Sequence, residues 1–516
     1  MTTRTILAGI ASLALVAACG QKADEASMPA EDASKVADAG MTSEGGGMIL
    51  PATTTSDVAL EHYLAGWAYA ENSRGNAANG KFLEAAAADP SFAVAHLMAA
   101  LTSNSTEGFV SNLGLASANK AGGSQGEQLM ITAFERALAS DAAGRIEAHK
   151  ELTAEHPDSP RAWVFLGDSY GNVNETADAR ASYSKAIELD SGFVPAHINM
   201  GNNLMTQEPK NFAMAEQHFQ HAVKITPNEP NPHDLLGDVH RAQGDLEAAY
   251  NDYTRAAELA PELGSPLQQR GHVNSFLGNY DDARADYSRS AELEDARGSN
   301  AGGFFLVFRA YVNAHEGDLS AAVAELREIA ASADASTAAG ALDLKINALS
   351  NAALFAIEAG DTEAASAAIA DAAAAMRQQA ENVGSDEVRD AQEATIAYME
   401  GLHAARMKDA ELAAAKAAEF EGHVASSSNP RKLERMHEIL GISAFCQDDF
   451  TGAIEHLSAG DHLNNMYTKY SLARAHDAAS NADEATRLFA ELAAWNFNGP
   501  GYAMFRKDIL ARAATD

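Results

Sequence analysis

Several strings in this chain have the residue types and spacing of reactive or ligand-holding loops. Gly75-Asn76-Ala77-Ala78-Asn79-Gly80-Lys81 has the Gly and Lys spacing of a loop whose backbone N–H groups and lysine cradle phosphates. That chemistry needs a Ser or Thr after the lysine to ligate magnesium, and a strand before the loop. Phe82 stands at the first position and no strand-like run precedes it, so nucleotide binding is not assigned. Gly122-Gly123-Ser124-Gln125-Gly126 fits the Gly-x-Ser-x-Gly string of a hydrolase nucleophile elbow. An elbow sits between a strand and a helix of a doubly wound sheet, and no β-branched runs supply such a sheet; a Gly/Ser loop between helices is the better account. Cys446 follows the apolar stretch Ile439–Phe445 with no candidate base beside it, which reads as a buried structural thiol.

Histidines are the remaining candidates. His218 and His221 lie three apart on one expected helix, and His233, Asp234 and Asp238 lie close together on another. A helix face carrying His and Asp can hold a metal if a neighbouring element adds ligands. His315-Glu316 and His437-Glu438 lack the second His of a zinc-protease motif. His62, His197, His233 and His437 recur at equivalent places, which argues for a packing shape and not for ligation. No catalytic residue, metal site or cofactor is therefore assigned, and a metal-dependent enzyme centred on residues 218–240 is kept as an alternative only.

The elements that must position these side chains repeat along the chain. Trp163-x-x-Leu166-Gly167-x-x-Tyr170 is followed by Ala179-x-x-x-Tyr183-x-x-Ala186. The pattern returns as Leu236-Gly237, His240, Gly244, Ala249, Tyr253, Ala256 and Pro261, then as Gly271, Gly278, Tyr280, Ala283 and Tyr287. An earlier copy reads Gly66, Tyr69, Ala78, Phe82, Ala85, Pro90. Small residues on one helix facing a large one on the next let two antiparallel helices interlock. Gly244-Asp245, Gly278-Asn279, Gly317-Asp318 and Gly360-Asp361 mark turns, each a left-handed helix end followed by an N-cap.

Small-large-small at a period of 34 resembles the tetratricopeptide repeat, a helix-turn-helix unit that stacks into a solenoid. The resemblance implies an all-α, right-handed solenoid of about twelve units over residues 57–499, closed by a capping helix at 500–516. An N-terminal array spans 57–297, its clearest units running from Pro160 to about Arg297 with a two-residue slip at Gln207-Glu208-Pro209. From 298 to 499 the array becomes Ala-rich, and segments 337–345 and 380–393 read as irregular breaks.

Before the repeats lie one Arg, an apolar run and Val16-Ala17-Ala18-Cys19, the pattern of a secretory signal over residues 1–18. It resembles a bacterial lipoprotein signal, which implies that Cys19 is lipidated and that Gly20 after it favours the outer membrane. The chain is thus expected in the cell envelope, facing the periplasm, with the lipid as its only membrane contact. Residues 19–56 form an acidic, Gly/Ser/Thr-rich linker, read as a flexible tether. Net charge is −35, or −36 once the signal with its single Arg4 is removed, which excludes nucleic acid as a partner on charge grounds.

In proteins with this repeat, ligands usually lie along the concave face made by the first helices. The resemblance places Arg161, Asp168, Asn202, Asn231, Asp234, Asp238, Arg241, Gln268 and His272 on that face. With Asp prominent and few cations, the set implies a protein or peptide partner rich in basic or amide side chains. The reading is a non-catalytic interaction scaffold, an adaptor for outer-membrane or periplasmic assembly or secretion. The alternative is an accessory of polysaccharide export that positions a synthase and a porin.

Overall fold

A computed structural model describes residues 50, 52–71, 75–296 and 302–514. Cys19, the signal at 1–18 and the linker up to residue 49 lie outside the described residues. Among the described residues there is no strand, and no helix is long and apolar enough to cross a membrane.

Helices α1 (Asp57–Glu71) and α2 (Gly75–Ala88) make the first unit, α3 (Ala93–Leu101) and α4 (Thr106–Asn119) the second, and α5 (Gln125–Leu138) and α6 (Ala142–Glu155) the third. Then come α7 (Pro160–Gly171) with α8 (Thr176–Leu189), α9 (Val194–Thr206) with α10 (Phe212–Ile225), and α11 (Pro230–Gln243) with α12 (Leu246–Leu259). Next are α13 (Ser265–Leu277) with α14 (Tyr280–Ala296), α15 (Gly302–Glu316) with α16 (Leu319–Asp334), and α17 (Ala341–Ala359) with α18 (Thr362–Val383). The last units pair α19 (Asp386–Arg406) with α20 (Ala410–His423), α21 (Glu434–Cys446) with α22 (Phe450–Ala459), and α23 (Met466–Ala478) with α24 (Ala482–Ala493); α25 (Pro500–Ala513) ends the array. Among the described residues, twelve helix pairs and a final helix match the expected solenoid.

Most units are built by two recurring local devices. A residue in left-handed backbone ends the first helix at Ser140, Asn174, Gly244, Gly278, Gly317, Gly360, Lys408, Asp448 and Ser480. An Asp one residue on then caps the second helix in several units, as Asp245 does by accepting from the Ala248 N–H at 3.0 Å. Inside the unit, Gly66, Gly167, Gly201, Gly237 and Gly271 each lie against the aromatic ring of the second helix. A Cβ on Gly237 would sit 2.5 Å from the Tyr253 ring, closer than real carbon atoms approach.

Two expectations are corrected. Residues 380–393 are not an irregular break: α18 runs 22 residues, α19 runs 21, and only Gly384 and Ser385 separate them. The Ala-rich sequence favours helix strongly enough to extend both, and a left-handed Gly384 with a capping Ser385 turns the chain within two residues. Likewise the break near 337–345 closes by Gly340, where α17 begins. The end of the linker is also docked: Leu50 is buried, and Thr53 donates to Glu127 from its N–H (2.7 Å) and its hydroxyl (2.5 Å).

The solenoid coils far enough for its turns to touch. Thr106 at the start of α4 donates from its hydroxyl to Asp343 of α17, seven units on, at 2.5 Å. Ser428, after α20, donates from its N–H to the Ser140 carbonyl (3.1 Å) and from its hydroxyl to Asp141 (3.0 Å). Seven to eight units therefore complete one turn of the coil, and the first helices face a narrow interior.

Candidate interaction surface

The two loop-like strings have structural roles. Gly75–Lys81 lies inside α2, and Phe82 is fully buried against Gly66. Ser124 starts α5 as a capping box: its hydroxyl accepts from the Glu127 N–H while the Glu127 carboxylate accepts from the Ser124 N–H. Cys446 is half-buried, not buried as its apolar neighbours imply, with the Arg406 guanidinium 3.8 Å from Sγ. It stands at the last residue of α21, packed against the core from one side.

At His197 and His233, two of the four recurring histidines, and at His96, one hydrogen bond accounts for the ring. Trp163 Nε1 donates to the Pro157 carbonyl at 2.9 Å. His96, His197 and His233 place Nε2 at 3.1, 3.1 and 3.2 Å from the carbonyls of Pro90, Ser191 and Pro227, the same six-residue step back. This slot needs a flat ring with an N–H that pins the turn between units, and both Trp and His supply it. His62 and His437 use their rings differently, His62 toward Glu84 (3.0 Å) and His437 toward His456 (3.0 Å). His218 and His221 pack on His197, and burial pushes His218 down to about 4, so it is neutral near pH 7. Among the described residues no group of three or more His, Cys, Asp or Glu is arranged to hold a metal ion.

The nine residues placed on the concave face fall into two stretches. In the first, Arg161 of α7 crosses the narrow interior to pair with Glu71 of α1, its guanidinium 4.0 Å over the Trp67 ring. Asp168, also on α7, accepts at Oδ1 from the Tyr183 hydroxyl (2.8 Å) and the Asn199 amide (3.3 Å). Burial pushes the Asp168 carboxyl up to about 7. Arg161 and Asp168 are thus buried, more enclosed than an exposed binding face implies, because first helices three units apart meet across the interior.

A small pocket of about 60 Å³ lies here, lined in part by Arg161, Asp168, Ile198, Asn199 and Asn231. Arg161 Nε and Asn231 Nδ2 are buried without a hydrogen-bond partner among the described residues, as is Asp234 Oδ1 on the same face of α11 as Asn231. Burial, with Asp238 beside it, holds the Asp234 carboxyl well above the usual range. Asn202 is half-buried, and Thr206 donates to its backbone carbonyl.

In the second stretch the surface is already covered by the chain itself. Residues 495–499, between α24 and α25, run as a strap across the first helices of the sixth to eighth units. Arg241 Nη1 donates to the Asn496 carbonyl (2.7 Å), while Nη2 donates to Asp238 (2.6 Å) and Nε to the Tyr253 hydroxyl (3.0 Å). The Asn498 amide nitrogen lies 2.9 Å from His272 Nδ1, and its Oδ1 lies 3.1 Å from His315 Nε2. Gln268 contacts the other His272 nitrogen at 2.9 Å. Burial holds His272 well below the usual imidazole range and pushes His315 down to about 4, so both are neutral near pH 7 and exchange hydrogen bonds with an uncharged amide.

The strap's rings meet cations. Lys210, in the slipped turn, lies 4.5 Å from the Trp495 centroid, and Lys469 of α23 lies 5.7 Å from it. Arg241 lies 5.6 Å from the Phe497 ring. Arg180 holds that turn by donating to the carbonyls of Gln207 (3.1 Å) and Pro209 (3.0 Å). Beyond the strap, α25 anchors it: Tyr502 packs edge-on against Phe276, and Lys507 donates to the Glu316 carbonyl at 2.6 Å. The repeat pattern does not reveal this strap. The one sequence signal is Trp495-Asn496-Phe497-Asn498, aromatic and amide residues alternating where the helical period stops.

A sequence profile of the tetratricopeptide repeat matches residues 160–193 and 233–263. Over 105 residues the chain is 34% identical to the Arabidopsis thaliana probable UDP-N-acetylglucosamine–peptide N-acetylglucosaminyltransferase SPINDLY, covering 19% of this chain and 11% of that protein. Over 76 residues it is 32% identical to the Arabidopsis thaliana anaphase-promoting complex subunit 6, covering 15% of this chain and 14% of the other. The match thus spans about a tenth to a seventh of these relatives' length. The solved structure of MamA is 20% identical, with a TM-score of 0.28, and covers 34% of this chain and 94% of that one.

Proposed function

We propose that this chain, a tetratricopeptide-repeat solenoid, works as a non-catalytic scaffold that holds a protein or peptide partner along its inner surface. One observation carries the reading. Arg161 Nε, Asn231 Nδ2 and Asp234 Oδ1 are buried without hydrogen-bond partners among the described residues, on the inward-facing first helices α7 and α11. Leaving such groups unpaired costs about 1–3 kcal/mol each, and two donors with one acceptor suit a segment bearing amide side chains. A carboxamide both accepts and donates, so one Asn or Gln can satisfy groups of both kinds.

Residues 1–19 support placing this scaffold in the bacterial envelope, lipid-anchored through Cys19 and facing the periplasm, with the outer membrane preferred. The role that fits is an adaptor in envelope assembly or secretion. Crosslinking in intact cells, followed by purification and mass spectrometry, tests the scaffold. Asn202→Lys/Asn231→Lys, confirmed to melt like wild type, should lose a defined envelope partner. A partner set unchanged by those charges places the docking surface elsewhere. Cys19→Ser should release the protein from membranes; a processed variant that still sediments with them defeats the lipid anchor.

A further inference from the structure

The strap touches the inner surface in the way a bound peptide does. It offers a main-chain carbonyl to Arg241, a side-chain amide to His272 and His315, and flat rings to Lys210, Lys469 and Arg241. Asn498 lies 226 residues from His272, so no local turn requires the contact. Arg241, His272 and His315 sit on consecutive first helices, α11, α13 and α15, where a solenoid presents its inner face, while Lys210 and Lys469 reach the strap's rings from the α9–α10 turn and from α23.

The fit is incomplete at two places. Behind the strap a cavity of about 210 Å³ is walled by Leu354, Ile357, Met399 and Leu402 on one side and by Phe497 and Tyr502 on the other. An apolar group placed there is removed from water against the Leu, Ile and Met side chains of that wall. Farther along the same face, Arg161 Nε, Asn231 Nδ2 and Asp234 Oδ1 are not reached by the strap. A longer segment with a bulkier apolar side chain at the Phe497 position makes every strap contact and gains both of these.

Resting on the scaffold reading above, we propose that Trp495–Asn498 is a tethered pseudo-ligand. The inner surface of α7, α9, α11, α13 and α15 recognises an extended protein segment that alternates aromatic and asparagine side chains, and such a partner segment displaces the strap. Tethering gives the strap an effective concentration on the order of millimolar, so it excludes weak competitors and admits only a segment that binds substantially better. The void and the unpaired groups supply that difference, since a ligand shifts an equilibrium only by its differential affinity.

The test uses the full chain and a fluorescein-labelled peptide carrying the sequence of residues 493–500, with a scrambled peptide as control. Trp495→Ala/Phe497→Ala/Asn498→Ala should bind the peptide at least tenfold more tightly than wild type, and adding His272→Ala should abolish the gain. Equal binding by wild type and the strap variant, or equal binding of the scrambled peptide, overturns the proposal. If the strap variant melts early, hydrogen exchange on wild type decides. Excess peptide should speed exchange of the 495–499 amides at least tenfold over the scrambled control, and unchanged protection overturns the proposal. A cellular partner lost with Asn202→Lys/Asn231→Lys but unaffected by strap variants leaves the scaffold standing and removes only the pseudo-ligand.

Discussion

The Arg241 guanidinium joins the middle of the chain to its end, donating to the main-chain carbonyl of Asn496, 255 residues away, at 2.7 Å. The same side chain holds Asp238 on its own helix and Tyr253 on the next. One buried cation thus fixes the inner face of a unit, its second helix and the strap together.

Arg241→Met removes that cation and leaves the Asp238 carboxylate without its ion pair. Losing one partner of a buried pair costs about 3–5 kcal/mol. Urea denaturation should show a loss in this range, and Arg241→Lys should not restore it, because an ammonium cannot serve three acceptors in the fork geometry. A loss below about 1 kcal/mol for Arg241→Met would contradict the assigned role.

Gly237→Ala and Gly114→Ala should move stability in opposite directions. At Gly237 the new methyl meets the Tyr253 ring, and overpacking costs about 1–3 kcal/mol. At Gly114, inside α4, nothing lies within 4 Å of a new Cβ, so the gain in helix propensity of about 0.5–1 kcal/mol is realised. Thermal melts of the two variants beside wild type check the sign of each.

Ser480→Gly should stabilise the last unit. Ser480 has φ 62°, the left-handed conformation that Gly244 and Gly278 adopt at the same point of their units. A side chain there costs on the order of 1 kcal/mol that glycine avoids. Hydrogen exchange of α23 and α24 should slow in the variant; faster exchange would refute the account.

Asp168→Asn should alter the pH dependence of stability. Burial raises the Asp168 carboxyl from 3.8 to about 7 in the folded protein, so folding favours its neutral form. Its contribution is complete below about pH 4 and is lost as pH rises through about 7. Asn keeps an oxygen for Tyr183 and Asn199 without titrating. Relative to wild type, the variant should gain stability by up to roughly 1.4 kcal/mol per pH unit between about pH 4.5 and 7. Parallel urea midpoints across that range would rule this out.

The helix pairs, their turns and their packing are legible in the sequence because each is short-range. Gly237 and Tyr253 belong to one unit, and Gly244-Asp245 acts on adjacent residues, so composition and spacing alone fix what meets what. The same logic placed the residues from Arg161 to His272 on first helices, because first-helix positions repeat with the period. It misjudged residues 380–393, where breaks in the aromatic pattern mark longer helices and not irregular chain.

Only the tertiary structure decided what those positions touch. Arg161 meets Glu71 across the interior, Thr106 meets Asp343 seven units on, and Asn496 reaches Arg241. No motif marks these pairs. Each depends on the rotation between neighbouring units, which accumulates to a full turn over seven to eight of them. A change in that rotation, invisible in any one repeat, determines whether the inner face stays an open groove or closes on residues 495–499.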